Sequence, residues 1–226
     1  MMTLSHLPFQ GFLSDRARYA RAIVVNAFAV FDDGSGAAIY AGGQFTQAGG
    51  VSASRIAKWD GTSWSALGSG ITGGSFPFVS SLAVFDDGSG TALYAGGYFS
   101  TAGGVPANNV AKWNGTSWSP LGGGTNDGVG TLAVFDDGSG PALYAGGDFS
   151  TAGGVPASSI AKWDGMSWSS LGTGMYGTVY ALAAFNGGGS ALYAGGSFAT
   201  AGGKASARIA KWTVVGDAST NHPDQR

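Results

Sequence analysis

Short apolar runs, each closed by glycine or aspartate, recur along this chain at intervals of about fifty residues. The phenylalanine ending each "AVF" or "AAF" run falls at Phe31, Phe85, Phe135 and Phe185, spaced 54, 50 and 50 residues apart. In the third copy the pattern predicts four strands. They are "VGTLAVF" (Val129 to Phe135), "ALYAGG" (Ala142 to Gly147), "SIAKWD" (Ser159 to Asp164) and "SWSSL" (Ser167 to Leu171). "DDGSG" turns the first strand into the second and "DGMS" the third into the fourth. Asp-Gly between apolar runs suits a hairpin because glycine adopts positive φ without steric cost. Two longer links remain, "FSTAGGVPAS" between the second and third strands and "GTGMYGTV" leading into the next copy. By parity both lie at the same end of the unit, opposite the tight turns.

Repeats of this length belong to stacked architectures in which one unit cannot bury its own apolar faces and needs its neighbours. The expected fold is all-β, a β-propeller of about four blades, each a four-stranded antiparallel meander of about fifty residues. The copies run over 28–81, 82–131, 132–181 and 182–216 within one domain spanning 21–216, followed by a tail, 217–226, expected to be flexible. After Trp212 the fourth copy continues "TVVGDASTNHPDQR" without a second tryptophan, so its fourth strand is missing or degenerate. Within the N-terminal segment 1–20, "PFQGFL" (Pro8 to Leu13) occupies a fourth-strand position, because Leu13 precedes Val25 by the interval that separates Leu67 from Val79. Two readings stay open at this point. Residues 8–13 close the ring as the outer strand of the last blade, or they are the eroded tail of a lost blade. Correspondingly the chain is a closed monomer or an incomplete ring that self-associates.

Composition narrows the chemistry. There are 42 glycines, at fixed positions between aromatic and aliphatic residues, which separates the chain from a flexible Gly-rich linker. All thirteen acidic residues are aspartate, which suits turns and leaves out a favoured helix former. A net charge of -2 with scattered basic residues offers no patch for nucleic acid. Without cysteine there is no disulfide framework, no thiol nucleophile and no Cys-based zinc site. The longest apolar run, "AIVVNAFAVF" (Ala22 to Phe31), is too short to insert in a membrane, and residues 1–20 carry no secretion signal.

The motif of apolar residues, a double glycine, tryptophan, then Asp or Asn and a second tryptophan resembles the kelch-like propeller repeat. Its positions are Tyr94, Gly96, Gly97, Trp113, Asn114 and Trp118 in copy two, and Tyr144, Gly146, Gly147, Trp163, Asp164 and Trp168 in copy three. The two tryptophans stand closer together than in common kelch repeats. The wording "GGxFxxAGG…AKWDGxxWxxLG" is similar to repeats of the fungal cortical polarity-marker family and of bacterial surface propellers. That resemblance covers residues 25 to 212 and implies an interaction role at an extracellular or cell-surface location.

Positions shared by every copy read as packing. Those are the Phe31 set, the set Phe45, Phe99, Phe149 and Phe198, and the ladder Trp59, Trp113, Trp163 and Trp212. The aspartate pairs Asp32/Asp33, Asp86/Asp87 and Asp136/Asp137 lack the alternating spacing of a calcium loop and read as turn residues. Lys58, Lys112, Lys162 and Lys211 share one slot near those turns, which predicts an Asp–Lys pair in each unit. Both histidines, His6 and His222, lie in the irregular ends, and no glutamate exists for acid–base work, so no catalytic residue, metal site or cofactor is expected.

What varies between copies is the better guide to recognition. After the double glycine stand Gln44, Tyr98, Asp148 and Ser197; the inter-copy links offer Phe76 and Phe78, then Asn126 and Asp127, then Tyr176. These nine residues are the candidate ligand contacts, all at one end of the scaffold, for a protein or carbohydrate partner. Two rival readings are a spacer that binds nothing, and a hydrolase or lyase using Asp127 and Asp148.

Overall fold

The computed structural model describes residues 24–185 and 190–213. The candidate closing strand at 8–13, the tail at 217–226 and the turn beginning at Asn186-Gly187 lie outside the described residues.

Unit 1 contains β1 (Val25–Asp32), β2 (Ala37–Gly43), β3 (Gln47–Ala48), β4 (Val51–Ser52), β5 (Ile56–Trp59) and β6 (Trp64–Ala66), with β7 (Ile71–Thr72) in the link that follows. Unit 2 repeats this as β8 (Phe78–Asp86), β9 (Thr91–Tyr98), β10 (Thr101–Ala102), β11 (Val105–Pro106), β12 (Val110–Trp113) and β13 (Trp118–Pro120). Unit 3 has β14 (Val129–Asp136), β15 (Pro141–Gly147), β16 (Thr151–Ala152), β17 (Val155–Pro156), β18 (Ile160–Trp163) and β19 (Trp168–Ser170), followed by β20 (Met175–Tyr176). Unit 4 has β21 (Val179–Phe185), β22 (Ala191–Gly196), β23 (Thr200–Ala201), β24 (Lys204–Ala205) and β25 (Ile209–Thr213).

Units 1 to 3 are antiparallel four-stranded meanders, in the orders β1-β2-β5-β6, β8-β9-β12-β13 and β14-β15-β18-β19. Unit 4 is three-stranded among the described residues, β21-β22-β25, and the positions at which a fourth strand was expected lie outside them. The first strands β1, β8, β14 and β21 lie side by side in chain order, whereas the fourth strands make no comparable approach. The sheets therefore splay outward from their first strands, a blade-like arrangement.

The hydrophobic core sits between units. Phe31, Tyr40 and Ile56 of unit 1 pack with Val79, Leu93, Ala111 and Trp113 of unit 2. Phe85, Tyr94 and Val110 then meet Val129, Leu132, Leu143 and Trp163, and Phe135, Tyr144 and Ile160 meet Val179, Leu192 and Ala194. Each sheet thus presents an aromatic back face to the aliphatic and tryptophan front face of the next. The first glycine of each "GG" allows this approach. A Cβ on Gly42, Gly96 or Gly146 would lie 2.5, 2.7 and 2.5 Å from Cγ1 of Val79, Val129 and Val179 respectively.

Tryptophans fasten the outer edges. Trp118 and Trp168 donate their indole N–H to the carbonyls of Leu67 and Leu121 in the preceding unit, at 3.1 and 2.9 Å. Their strand partners Trp113 and Trp163, tilted against them with ring centres 5.4 Å apart, bury an indole nitrogen with no protein partner.

The expected aromatic core needs one correction. Phe31, Phe85 and Phe135 are buried, but Phe185 is 55 % exposed because, among the described residues, no further sheet covers the back of unit 4. Trp59 and Trp212 are only partly buried; Trp212 packs at the junction of units 3 and 4 without the second tryptophan that lies against Trp113 and Trp163. Phe28 and Val30 on the front of unit 1 are 54 % and 66 % exposed. Full burial of such a side chain is worth about 1.5–3 kcal/mol, of which each of these forgoes a part.

The glycine slot yields a matched pair of substitutions. Gly146→Val should overpack the junction of units 3 and 4 and cost about 1–3 kcal/mol in urea unfolding. Gly195→Ala, in the same slot of unit 4 where nothing lies within 4 Å, should stay within about 0.5 kcal/mol of the parent. A second pair separates hydrogen bonding from volume. Trp118→Phe and Trp113→Phe remove equal bulk, yet only the first strands a carbonyl, so it should be the more destabilising by about 1 kcal/mol.

Candidate functional site

The two ends of the sheets differ in kind. At the tight-turn end, Asp32 Oδ1 accepts from the N–H groups of Gly34 and Gly36, at 2.9 and 3.0 Å, with Asp86 and Asp136 doing the same in their units. The second aspartate of each pair is the hub of a side-chain cluster. Asp33, Asp87 and Asp137 each accept from a lysine (Lys58, Lys112, Lys162), a serine (Ser35, Ser89, Ser139) and a buried tyrosine (Tyr40, Tyr94, Tyr144). The lysine Nζ sits 5.9, 5.7 and 6.0 Å from the centre of the same tyrosine ring. The expected Asp–Lys pair is therefore present in units 1 to 3, and the tyrosine is a third member that strand spacing alone did not reveal.

Electrostatics follow from this geometry. Burial by itself would raise each carboxyl, but the lysine ammonium and the serine and tyrosine hydroxyls outweigh it and hold Asp33 and Asp137 well below the ordinary carboxylate range. Asp87 is held down to about 2. Burial, reinforced by the facing aspartate, pushes each tyrosine well above the ordinary phenol value. In unit 4 Lys211 keeps its place over the Tyr193 ring, at 5.8 Å, while the chain carries Gly187 where the others carry the hub aspartate. Among the described residues no three His, Cys, Asp or Glu side chains gather as a metal site would need.

At the other end, the long links are more structured than the strand pattern implied. Each link between the second and third long strands of a unit, read from sequence as plain connection, holds a hairpin of two-residue strands: β3–β4, β10–β11, β16–β17 and β23–β24. Gly49 and Gly50 adopt φ of 56° and 84°, the left-handed pair that a type I′ turn needs. "Ala-Gly-Gly" between short β-compatible stretches was the available signal. The inter-unit links add to these hairpins, β7 on β10 and β20 on β23, with a single bridge Thr125–Ala152 at the middle junction.

The nine sequence candidates all fall at this end, in several distinct environments. Gln44, Asp148 and Ser197 each donate their backbone N–H to the start of the neighbouring first strand, at Val24, Gly128 and Thr178. The side chain of Asp148 accepts from the Thr178 hydroxyl, bridging units 3 and 4, and Ser197 Oγ accepts from the Thr178 N–H at 3.4 Å. Tyr98 stacks on Phe78, with ring centres 6.3 Å apart and planes at 24°, and remains 40 % exposed. Phe76 and Tyr176 are exposed at 62 % and 81 %. Asn126 is consumed structurally: its Oδ1 accepts from the N–H of Ser150 and Thr151, and its Nδ2 donates to Ser150 Oγ. Asp127 turns back on its own link, accepting from the Gly128 N–H at 2.7 Å.

Between units 2 and 3 these links enclose a cleft of about 440 Å3. Tyr98, Ser100, Asn108, Asn109, Thr125 and Asn126 line it together with Gly74, Gly123 and Gly124, and no charged side chain is among its lining residues. The cleft brings Tyr98 and Asn126 together and leaves Gln44, Phe76, Phe78, Asp127, Asp148, Tyr176 and Ser197 outside its walls. Asn109 occupies a left-handed backbone position, φ 64°, shared with Arg55, Ser159 and Arg208. Its amide is buried, accepting from Phe99 N–H at 3.1 Å and donating to Thr125 O at 2.9 Å. Asn108 beside it is exposed, with Nδ2 on Gly123 O at 3.0 Å.

The cluster predicts a pH profile with two edges. Because the folded aspartates titrate below their unfolded value of about 3.9, their contribution is present above that value. It should be lost as pH falls toward the folded value, about 2 for Asp87. Because the folded tyrosines titrate above about 10, their contribution is full below that value and lost as pH rises beyond it. Urea midpoints measured from pH 5 to 2 should drop less steeply in Asp87→Asn than in the parent, with two clusters still titrating.

No protein-family model matches the chain, and no curated protein and no solved structure matches it. What stands is the coarser description, an all-β protein of repeated antiparallel units of similar size, consistent with blade-like repeats.

Proposed function

We propose that this chain is a propeller-type repeat scaffold of kelch-like character whose link-bearing end acts as a non-catalytic recognition surface. The observation that carries the reading is the cleft between units 2 and 3, lined by Tyr98, Asn108 and Asn109, where unit 3 carries Asp148, Ser158 and Ser159 instead. Its chemistry is an exposed tyrosine, amide side chains and glycine backbone without formal charge. Those groups suit a neutral, hydroxyl-rich ligand, a short glycan, because an aromatic ring takes the apolar face of a sugar while amides bond its hydroxyls. Tyr98 is braced by Phe78, which reduces the ordering cost of binding. A surface or secreted setting fits such a module and is part of the same proposal.

Screening neutral oligosaccharides on an array, followed by calorimetry, tests the reading. A ligand should bind the parent, and Tyr98→Ala or Asn108→Ala should weaken it at least tenfold, about 1.4 kcal/mol, with an unchanged thermal midpoint. If nothing binds at millimolar sugar, the spacer reading gains. A saccharide that is cleaved, with turnover abolished in Asp127→Asn or Asp148→Asn, would replace the non-catalytic reading with the hydrolase one.

A further inference from the structure

Units 1 to 3 each end on a stretch reading Trp-Ser-x-Leu: Trp64 to Leu67, Trp118 to Leu121 and Trp168 to Leu171. Its register on the strand before it is the same each time. Trp64 stands opposite Trp59 and Ser65 opposite Lys58, and units 2 and 3 repeat both pairs. The leucine follows two residues after the serine and so shares its face of the sheet. There Leu67, Leu121 and Leu171 are buried with Ile56, Val110 and Ile160. The slot opposite the lysine needs no charge in these units, because each lysine already has its aspartate.

In unit 4 every contact of such a strand is open. β25 pairs with β22 along one edge, and among the described residues no strand pairs with the other. Ile209 is 70 % exposed, where Ile56, Val110 and Ile160 are 0 % exposed. Lys211 lies over its register partner Tyr193, yet no acidic residue occurs anywhere from Val179 to Thr213. That stretch carries Lys204, Arg208 and Lys211 in a chain whose net charge is -2. We propose that the outer edge of β25 takes up an acidic strand of a partner protein, with the pattern Trp-Glu-x-Leu or Trp-Asp-x-Leu. An unpaired edge supplies the row of backbone donors and acceptors. In the register of the other units the incoming tryptophan meets Trp212, the carboxylate stands directly opposite Lys211, and the leucine covers Ile209. Residues 8–13 are the competing strand within the chain. Aligned through Leu13 on Leu67, they put Gln10 in the tryptophan slot and Gly11 opposite Lys211, so they supply the leucine alone. No residue of β25 lines the cleft between units 2 and 3, and this site does not rest on the glycan reading.

Fluorescence polarisation of the full chain with a fluorescein-labelled peptide, Gly-Thr-Ser-Trp-Glu-Ser-Leu-Gly, tests the proposal. The peptide should bind below millimolar concentration, about three- to fivefold tighter than the same peptide with glutamine for glutamate. Exchanging its tryptophan and glutamate keeps charge and composition but turns both side chains to the wrong faces, and should abolish binding. Methylating the backbone nitrogens that face β25 should do the same, since the ladder needs them. Lys211→Met should still bind, but with equal affinity for the glutamate and glutamine peptides, a result that a merely unfolded variant does not give. No binding at millimolar peptide would overturn the proposal. So would equal affinity of the parent for the glutamate and glutamine peptides, or for the exchanged sequence. Tighter binding by a peptide of residues 6–15 would also overturn it, by assigning the edge to the chain's own segment.

Discussion

Everything in this structure depends on the fact that a single sheet has two apolar faces and no core of its own. Tyr40, Tyr94 and Tyr144 are almost completely buried because the next sheet lies over them, and the front-face tryptophans Trp113 and Trp163 are buried because the previous one does. Burial is thus a property of junctions, and stability should be shared between neighbours as in other repeat proteins. The close approach of the sheets requires that the slot opposite each valine carry no side chain, which accounts for the first glycine of the pair; the second lies too close to the carbonyl that begins its own first strand, at Val24, Phe78, Gly128 or Thr178, to carry one. Where no described sheet follows, at the back of unit 4, the equivalent residues Phe185 and Ile209 are left in solvent.

The two ends of the sheets divide the remaining work. At the tight-turn end the aspartate, lysine, serine and tyrosine of units 1 to 3 form the same cluster three times, fixing the turn to the middle of its own sheet. A charged pair of this kind is kept from costly desolvation by its extra hydroxyl partners and by the lysine resting against an aromatic ring. At the link end the hairpins and inter-unit links are tied together by backbone ladders, and side chains there differ from copy to copy. Repetition at one end secures a rigid frame; variation at the other leaves room for a cleft at one junction.

Much of this was legible in the sequence because its signals are local. The turns "DDGSG" and "DG" fixed the hairpins, the fifty-residue period set the units, and the parity of the strands put Gln44, Tyr98, Asp148 and Ser197 at one end. The hairpins inside the long links were missed, although Gly49-Gly50 and its equivalents carried the signal, because two-residue strands fall below any periodicity. Asn126 shows a deeper limit. Its position at the variable end was correct, but its commitment to Ser150 and Thr151 depends on a hairpin twenty-five residues away. Asn109 is similar: its type suits a left-handed backbone, yet its burial depends on Phe99 and Thr125.

By itself, then, the sequence determined what each unit is: its strands, its turns, its lysine beside its aspartate and the order in which the units follow. Local sterics and short-range hydrogen bonds decide those matters within a few residues. Only the tertiary structure decided which face meets which, that Phe185 stands exposed while its equivalents are buried, and that one junction opens into a cleft lined by Tyr98 and Asn108. Those outcomes depend on whether a neighbouring sheet is present and how its links fold over the gap, and identical letters in two copies cannot encode that difference.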